Sequence, residues 1–280
     1  MDSPLQAWRD TLEELGVMGL VREPVVAALK PALPASAPRP ASGPALGPTR
    51  RPAEAPPRPA PRPAPAAATA YTPPTDPVGC PPPEAVAAAA TLPELEKAIQ
   101  GCLACPLGPG RLKFVFGEGS PQARLMLVGE GPGRDEDLQG RPFVGKAGEL
   151  LDKMIGAIGM KREETYIANV VKCRPPDNRT PSPDEARTCL GYLHRQIELI
   201  QPVVIVTLGA TPLRELVGLS EGITKVRGQW KRVRVGGREI PVMPTFHPAY
   251  VLRQYTQDVR RAVWEDLKAA KAWIDRPAED

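Results

Sequence analysis

Residues Leu125–Ile155 read LMLVGEGPGRDEDLQGRPFVGKAGELLDKMI, and this stretch decides the fold. The apolar run Leu125–Val128 has the character of a strand buried on both faces of a parallel sheet. It runs into Gly129-Glu130-Gly131-Pro132-Gly133. Glycine lets the backbone turn sharply and approach a ligand closely, and Pro132 stiffens the loop. Loops leaving the carboxyl ends of parallel strands are where open α/β sheets bind ligands, so Glu130 stands where chemistry is expected. Pro142-Phe143-Val144-Gly145 then places an aromatic ring on a second loop. A helix follows, with Leu150, Leu151, Met154, Ile155 and Ile158 on one face.

Two nucleotide motifs are approached and not met. The glycines at 129, 131 and 133 do not make GxGxxG, because residue 134 is arginine. Gly140–Lys146 fits GxxxxGK, yet Ala147 replaces the hydroxyl that would hold magnesium and no strand directly precedes Gly140.

Outward from this stretch the pattern alternates strand and helix. Thr165–Val171 (TYIANVV) and Val203–Leu208 (VVIVTL) are further core strands, and Val233–Val235 with Glu239–Val242 make a hairpin around Gly236-Gly237. The second arm runs on into Phe246-His247-Pro248. Helices are expected over Leu92–Gln100, from Ser182-Pro183 with a capping box closed by Glu185, from Pro212, and over Gln257–Ile274. The class is α/β: a three-layer α/β/α sandwich around a central, mostly parallel four-stranded sheet.

The remainder of the 280-residue chain differs in kind. Residues 1–30 carry Trp8, Leu12, Leu15 and Met18 at helical spacing, interrupted by Pro24; so short a segment is a docking piece or a weakly ordered end. Residues 31–83 are dominated by Pro and Ala and lack large apolar side chains, so burial cannot offset their ordering entropy. Such a disordered arm is a tether or a peptide ligand for a protein partner, with plain spacer the favoured reading. The globular domain takes residues 84–280. No apolar run has transmembrane length and no signal-peptide pattern is present, which points to a soluble, cytoplasmic protein. The chain is read as a monomer. A net charge of +4 says little about nucleic acid by itself.

Four of five cysteines lie in the globular domain: Cys102 and Cys105 two residues apart, then Cys173 after a strand and Cys189 on the next helix. In a reducing compartment these are thiols or metal ligands, not disulfides. Four thiolates suit tetrahedral zinc or an iron–sulfur cluster, and the wide second spacing leans to a cluster. Cys80 belongs to the arm and ligates nothing.

Asn169 interrupts an apolar strand, and a buried carboxamide needs partners. His247 follows the last strand at the same sheet edge as Glu130 and Asn169. Lys172, Arg174, Arg179 and Arg253 gather near these loops, with Lys225, Arg227, Lys231, Arg232 and Arg234 further on, as solvated surface or as phosphate contacts.

GEGPGRDEDLQGRPFVGKAGELL, ANVVKCRPPDNRTPSPDE and HPAYVLR together resemble the family 4 uracil-DNA glycosylases, from about Leu92 to Ile274. Family 5 enzymes lack the acidic residue that Glu130 supplies, and uracil-trapping variants carry an extra basic loop absent from GRPFVG. The resemblance implies an α/β/α glycosylase with a 4Fe-4S cluster on Cys102, Cys105, Cys173 and Cys189. It implies a DNA substrate containing uracil, with Gly129, Glu130 and Gly131 as the pocket loop, Phe143 stacking on uracil, Asn169 reading its edge and His247 at its O2. Glu136 is a secondary polar candidate. A competing class is a non-catalytic DNA-binding or repair-scaffold module of the same fold, against which intact Glu130, Asn169 and His247 argue.

Overall fold

The computed structural model describes Gly79 and residues 81–276. The helical segment expected in residues 1–30, most of the Pro/Ala arm and Cys80 lie outside the described residues. Two short helices open the fold, α1 (Pro83–Ala88) and α2 (Leu92–Ile99), the second capped by Thr91. Next come β1 (Glu118–Gly119), β2 (Leu125–Gly129), α3 (Arg134–Gln139), α4 (Lys146–Ala157) and β3 (Tyr166–Asn169). The chain continues through α5 (Pro183–Ile200), β4 (Val204–Leu208), α6 (Ala210–Val217) and α7 (Ile223–Val226). It ends with β5 (Lys231–Val235), β6 (Arg238–Thr245), α8 (Pro248–Arg253) and α9 (Gln257–Ile274).

The strands form one sheet in the order β1-β3-β2-β4-β6-β5. Its centre is the expected set of four parallel strands, β3-β2-β4-β6. Two antiparallel edges bring the total to six. One is the first arm of the expected hairpin, which turns through Gly236 and Gly237 at φ 57° and 77°, the positive angles such a turn requires. The other is β1, a two-residue strand opposite Ile167 and Tyr166. Its Glu-Gly sequence carries no periodic signal, so only tertiary pairing makes it a strand. On β5, exposed Arg232 and Arg234 alternate with buried Val233 and Val235, and those charges guard the open edge against further pairing.

Strand alternation sorts the core into two layers. Met126, Val128, Tyr166, Ala168, Ile205 and Val242 face α2 and α5. Leu125, Leu127, Ile167, Val206 and Met243 face α4 and α9. The capping box at the start of α5 is present: Ser182 Oγ accepts from the Glu185 amide, and Glu185 Oε2 accepts from the Ser182 amide at 2.7 Å. The GxxxxGK match dissolves in three dimensions. Gly140, at φ 79°, closes the C-terminus of α3, whereas Gly145 caps the N-terminus of α4, so the motif spans two helix ends.

Asp266 on α9 is 2% exposed and ties helix to sheet. It accepts from the Arg227 guanidinium and, at 2.6 Å, from Thr245 Oγ1 at the end of β6. Burial pushes its carboxyl up, and Arg227 and Thr245 pull it back. Arg227 is thus committed to structure and not to the solvated basic surface expected of it. Replacing Asp266 with Ala leaves the partly buried Arg227 guanidinium with the Ala262 carbonyl as its acceptor and Thr245 Oγ1 without its carboxylate, so we expect a loss of about 1–3 kcal/mol of stability. Urea unfolding measures it, and an unchanged midpoint would show that Arg227 finds water instead.

Candidate active site

β2 is the point where the sheet order reverses, because the chain places β3 on one side of it and β4 on the other. At such a switch point the loops leaving the strands diverge and open a crevice. The four parallel strands end nearly level: Gly129 pairs with Asn169, and Leu208 with Thr245. Glu130, Asn169, Gly209 and His247 therefore reach one edge, where they line a cavity of about 1000 Å³ together with Phe143 and Thr211.

The backbone at this edge is packed to its limit. A Cβ on Gly129 would lie 2.4 Å from Asn169 Oδ1 and 2.5 Å from Phe143 Cζ, closer than nonbonded atoms approach. Glycine at 129 is what allows the amide and the ring to share one wall. Phe143 itself sits at φ 51°, a backbone conformation uncommon for a bulky residue, and its ring is buried. The loop is over-determined from two sides. Arg162 donates to the Pro142 and Phe143 carbonyls at 2.6 and 3.2 Å, and is itself ion-paired with Glu118 and Asp152. Glu136 Oε1 accepts from the Val144 and Gly145 amides at 2.9 and 3.1 Å, and its Oε2 accepts from the Gly133 amide at 3.0 Å. Both oxygens of Glu136 thus clamp the Gly131–Gly133 loop to the Phe143 loop. Gly148 completes the fit, since a Cβ there would lie 1.9 Å from the Phe143 carbonyl oxygen.

Of the polar residues that line the cavity, Asn169, Glu130 and His247 are the three grouped from the sequence at one sheet edge. Asn169 is 2% exposed, and its Oδ1 has no hydrogen-bond partner among the described residues. A buried acceptor left so costs about 1–3 kcal/mol, and a donor brought into the cavity would relieve it. Glu130 Oε2 accepts from Thr211 Oγ1 at 2.5 Å. His247 is half-buried at the N-terminus of α8, where Nδ1 accepts from the Ala249 amide at 3.1 Å. Burial pushes the imidazole down to about 4, Arg253 pushes the same way, and Glu136 opposes. The ring is neutral near pH 7, and with Nδ1 an acceptor its proton is on Nε2. Its centroid stands 5.6 Å from the Phe143 ring, tilted by 32°.

Around the mouth, Arg134, Lys146 and Arg253 are exposed and form no salt bridge among the described residues, whereas Arg179 pairs with Glu185 and Arg214 with Glu215. Lys172 corrects the sequence reading. It is neither solvated nor at the surface but fully buried, donating to the Asn169 carbonyl at 2.9 Å and to Gln196 Oε1 at 2.6 Å. The strand's inward geometry continues past Asn169, and desolvation lowers the ammonium to about 8.

The four described cysteines are free thiols on the α2/α5 side of the sheet. They are electrostatic neighbours: Cys105 feels Cys102, Cys173 feels Cys105 and Cys102, and Cys189 feels Cys173 and Cys105. Burial pushes Cys173 up to about 11 and Cys189 up to about 12. Polar groups already address the sulfurs. Tyr192 Oη lies 3.1 Å from Cys102 Sγ, and Arg111 donates to Cys173 Sγ at 3.5 Å and to the Cys102 carbonyl at 2.6 Å. Among the described residues no three His, Cys, Asp or Glu side chains converge on a single-ion site.

Residues 116–268 match the family model described as the uracil DNA glycosylase superfamily. The type-4 uracil-DNA glycosylase of Thermotoga maritima is 50% identical over 182 residues, which cover 64% of this chain and 92% of that protein. The chain belongs to this family. The type-4 uracil-DNA glycosylase of Archaeoglobus fulgidus is 42% identical over 182 residues, 64% of this chain and 90% of its own. A type-5 uracil-DNA glycosylase from Thermus thermophilus is 31% identical over 164 residues, 52% and 72% of the two chains. Sequence reasoning had grouped Gly129, Glu130, Gly131, Phe143, Asn169 and His247, and all but Gly129 line the one cavity, with Gly129 directly behind it. It had missed Thr211, Arg162 and Gly148, which carry no motif of their own.

Because the space at Gly129 is already filled, Gly129→Ala must displace either the Phe143 ring or the Asn169 amide. We expect a folded protein with base release slowed at least tenfold, on the scale set by misplacing groups by about 1 Å. Circular dichroism and single-turnover assays together check this; a wild-type rate would mean that the two side chains need not meet there.

Proposed function

We propose that this chain flips deoxyuridine out of DNA and hydrolyses its N-glycosidic bond, releasing uracil and leaving an abasic site for base excision repair. The unpartnered Asn169 Oδ1, in a cavity that also holds an aromatic ring and a neutral histidine, carries the reading. Extruding a base costs a few kcal/mol, and stacking on Phe143 offsets about 1–3 kcal/mol of it. Asn169 accepts from uracil N3–H and donates to O4, a pattern that cytosine inverts. As the bond between the sugar C1′ and the base N1 breaks, negative charge moves onto the base. The Nε2–H of His247 meets it at O2, stabilising charge as it develops. Glu130 keeps Oε1 for the sugar side, where it orients or deprotonates water or stabilises the cationic sugar. Water's hydroxyl joins C1′ and its proton ends on uracil. Arg134, Lys146 and Arg253 at the rim suit phosphates of the strand.

We further assign Cys102, Cys105, Cys173 and Cys189 to a 4Fe-4S cluster. Zinc bonds of about 2.3 Å would draw four sulfurs close around one ion, whereas a cluster takes one thiolate per iron and tolerates the wider spacing. Bound there, it would supply a cross-link between the loop after α2, the exit of β3 and α5, with Arg111 and Lys172 facing its negative charge. The domain is taken to begin near Glu84, with residues 31–83 as spacer or partner ligand. The molecule is proposed as a cytoplasmic monomer.

The direct test is uracil release from a single-stranded oligonucleotide, with a cytosine-containing strand as control; no release would leave a DNA-binding scaffold as the reading. Anaerobically purified protein should be brown with about four irons per chain, and Cys80→Ser should leave that unchanged; zinc without iron would refute the cluster.

His247 sets the pH behaviour. Its folded value of about 4 lies below an unfolded value of about 6.5. The unfolded chain therefore binds more protons between these limits, and stability from this residue falls as pH drops from 6.5 towards 4. The rate should show no His247-dependent step near pH 6.5. A step there that vanishes in His247→Asn would contradict the neutral assignment.

A further inference from the structure

We infer that Thr211 is a positioning residue that fixes the Glu130 carboxylate, leaving one of its oxygens bound and the other free for the reaction; this rests on the glycosylase reading above. Thr211 is the second residue of α6, which starts from Gly209 at the carboxyl end of β4. Thr211 is 4% exposed, so its hydroxyl gains little from solvent. A helical threonine commonly bonds back to a carbonyl three or four residues earlier. Here those residues lie in β4, and the hydroxyl donates to Glu130 Oε2 at 2.5 Å instead. That is the one side-chain hydrogen bond formed by Glu130 among the described residues. The hydroxyl donates and the carboxylate oxygen accepts, which identifies Oε2 as the engaged oxygen.

The placement has a consequence for catalysis. Glu130 leaves a glycine-rich loop, and nothing in Gly129-Glu130-Gly131 restrains its side chain. Thr211 is β-branched and stiff at χ1, on a helix whose start is locked against the neighbouring strand: the Gly209 amide donates to the Thr245 carbonyl at 2.9 Å. The same Gly209 passes His247 so closely that a Cβ on it would stand 3.3 Å from the His247 Cβ. The beginning of α6 therefore sets the carboxylate and lies against the imidazole, fixing the spacing of two groups that would address opposite sides of the scissile bond. Whether Glu130 acts on water or on the sugar cation, the same free oxygen does it. A swing of the carboxylate would cost the rate and spare binding, since remote contacts to base and phosphate stay intact.

The test is a double-mutant cycle read in single-turnover uracil release and in affinity for a uracil-containing oligonucleotide. Thr211→Val keeps the shape and removes the donor. We expect its rate to fall about tenfold to a hundredfold, its oligonucleotide affinity and iron content to hold, and Thr211→Ser to restore most of the rate. In a Glu130→Ala background the valine should have no further effect, because no carboxylate remains to position. Equal losses from valine in both backgrounds, a serine variant as slow as valine, or a valine variant at the wild-type rate would each overturn the assignment. Absence of uracil release by the unmodified protein would instead overturn the glycosylase reading, and the Thr211 role with it.

Discussion

There is no room for a methyl group at Gly129, and the working edge of the molecule is built around that fact. The last residue of β2 lies beside Asn169 in the sheet and under the Phe143 ring in space. Any side chain at 129 would separate the ring from the amide. Close approach of ring and amide is what a flat heterocycle needs, with one wall to stack on and one edge to hydrogen-bond. The other restraints serve the same junction. Arg162 and Glu136 hold the Phe143 loop from opposite sides, and Gly148 lets α4 start directly behind it. A non-glycine residue at φ 51° persists only under such over-determination.

Behind the sheet a second polar system supports the first. Lys172 and Gln196 form a buried chain running from the Asn169 carbonyl to Gln196 on α5, whose amide donates to the Phe116 carbonyl and to Tyr166 Oη. Lys172, Gln196 and Tyr166 each have a partner in this chain, which is the condition under which buried polar groups specify structure instead of weakening it. The cysteines flank this chain, Cys173 next to Lys172 and Cys189 on the same helix as Gln196. The thiol region and Asn169 thus share one framework at the exit of β3.

The parallel core was legible because strands buried on both faces are short apolar runs, as Leu125–Val128 and Val203–Leu208 are, and the helix over Gln257–Ile274 was legible from its period. The edge strand β1 was not, since two residues of Glu-Gly become a strand only by pairing with β3. Glu130, Asn169 and His247 could be grouped from sequence because each follows or ends a strand, and strand ends converge by topology. Thr211 could not. Its partner is 81 residues away, and a threonine early in a helix has an ordinary local reason to be there. Lys172 shows the opposite failure: a lysine among other cations invites a surface reading, yet the strand's direction carries it into the core, where desolvation and two acceptors define it.

The electrostatic logic of the cavity follows from what each group is denied. His247 loses water to burial and has its Nδ1 taken by the Ala249 amide, so it can offer only a neutral N–H. A cation in that place would attract an anionic leaving group more strongly, but it would equally attract the phosphates of any undamaged strand. A neutral donor discriminates by geometry, gaining most where charge appears at one atom during bond cleavage. Glu130 is treated in the complementary way, with one oxygen engaged by Thr211 and the other left open. Arg134, Lys146 and Arg253, without a salt bridge among the described residues, stand exposed at the rim, where on the proposed reading they would meet phosphate without entering the cavity. On that reading charge would be kept for the DNA backbone, and oriented dipoles for the base.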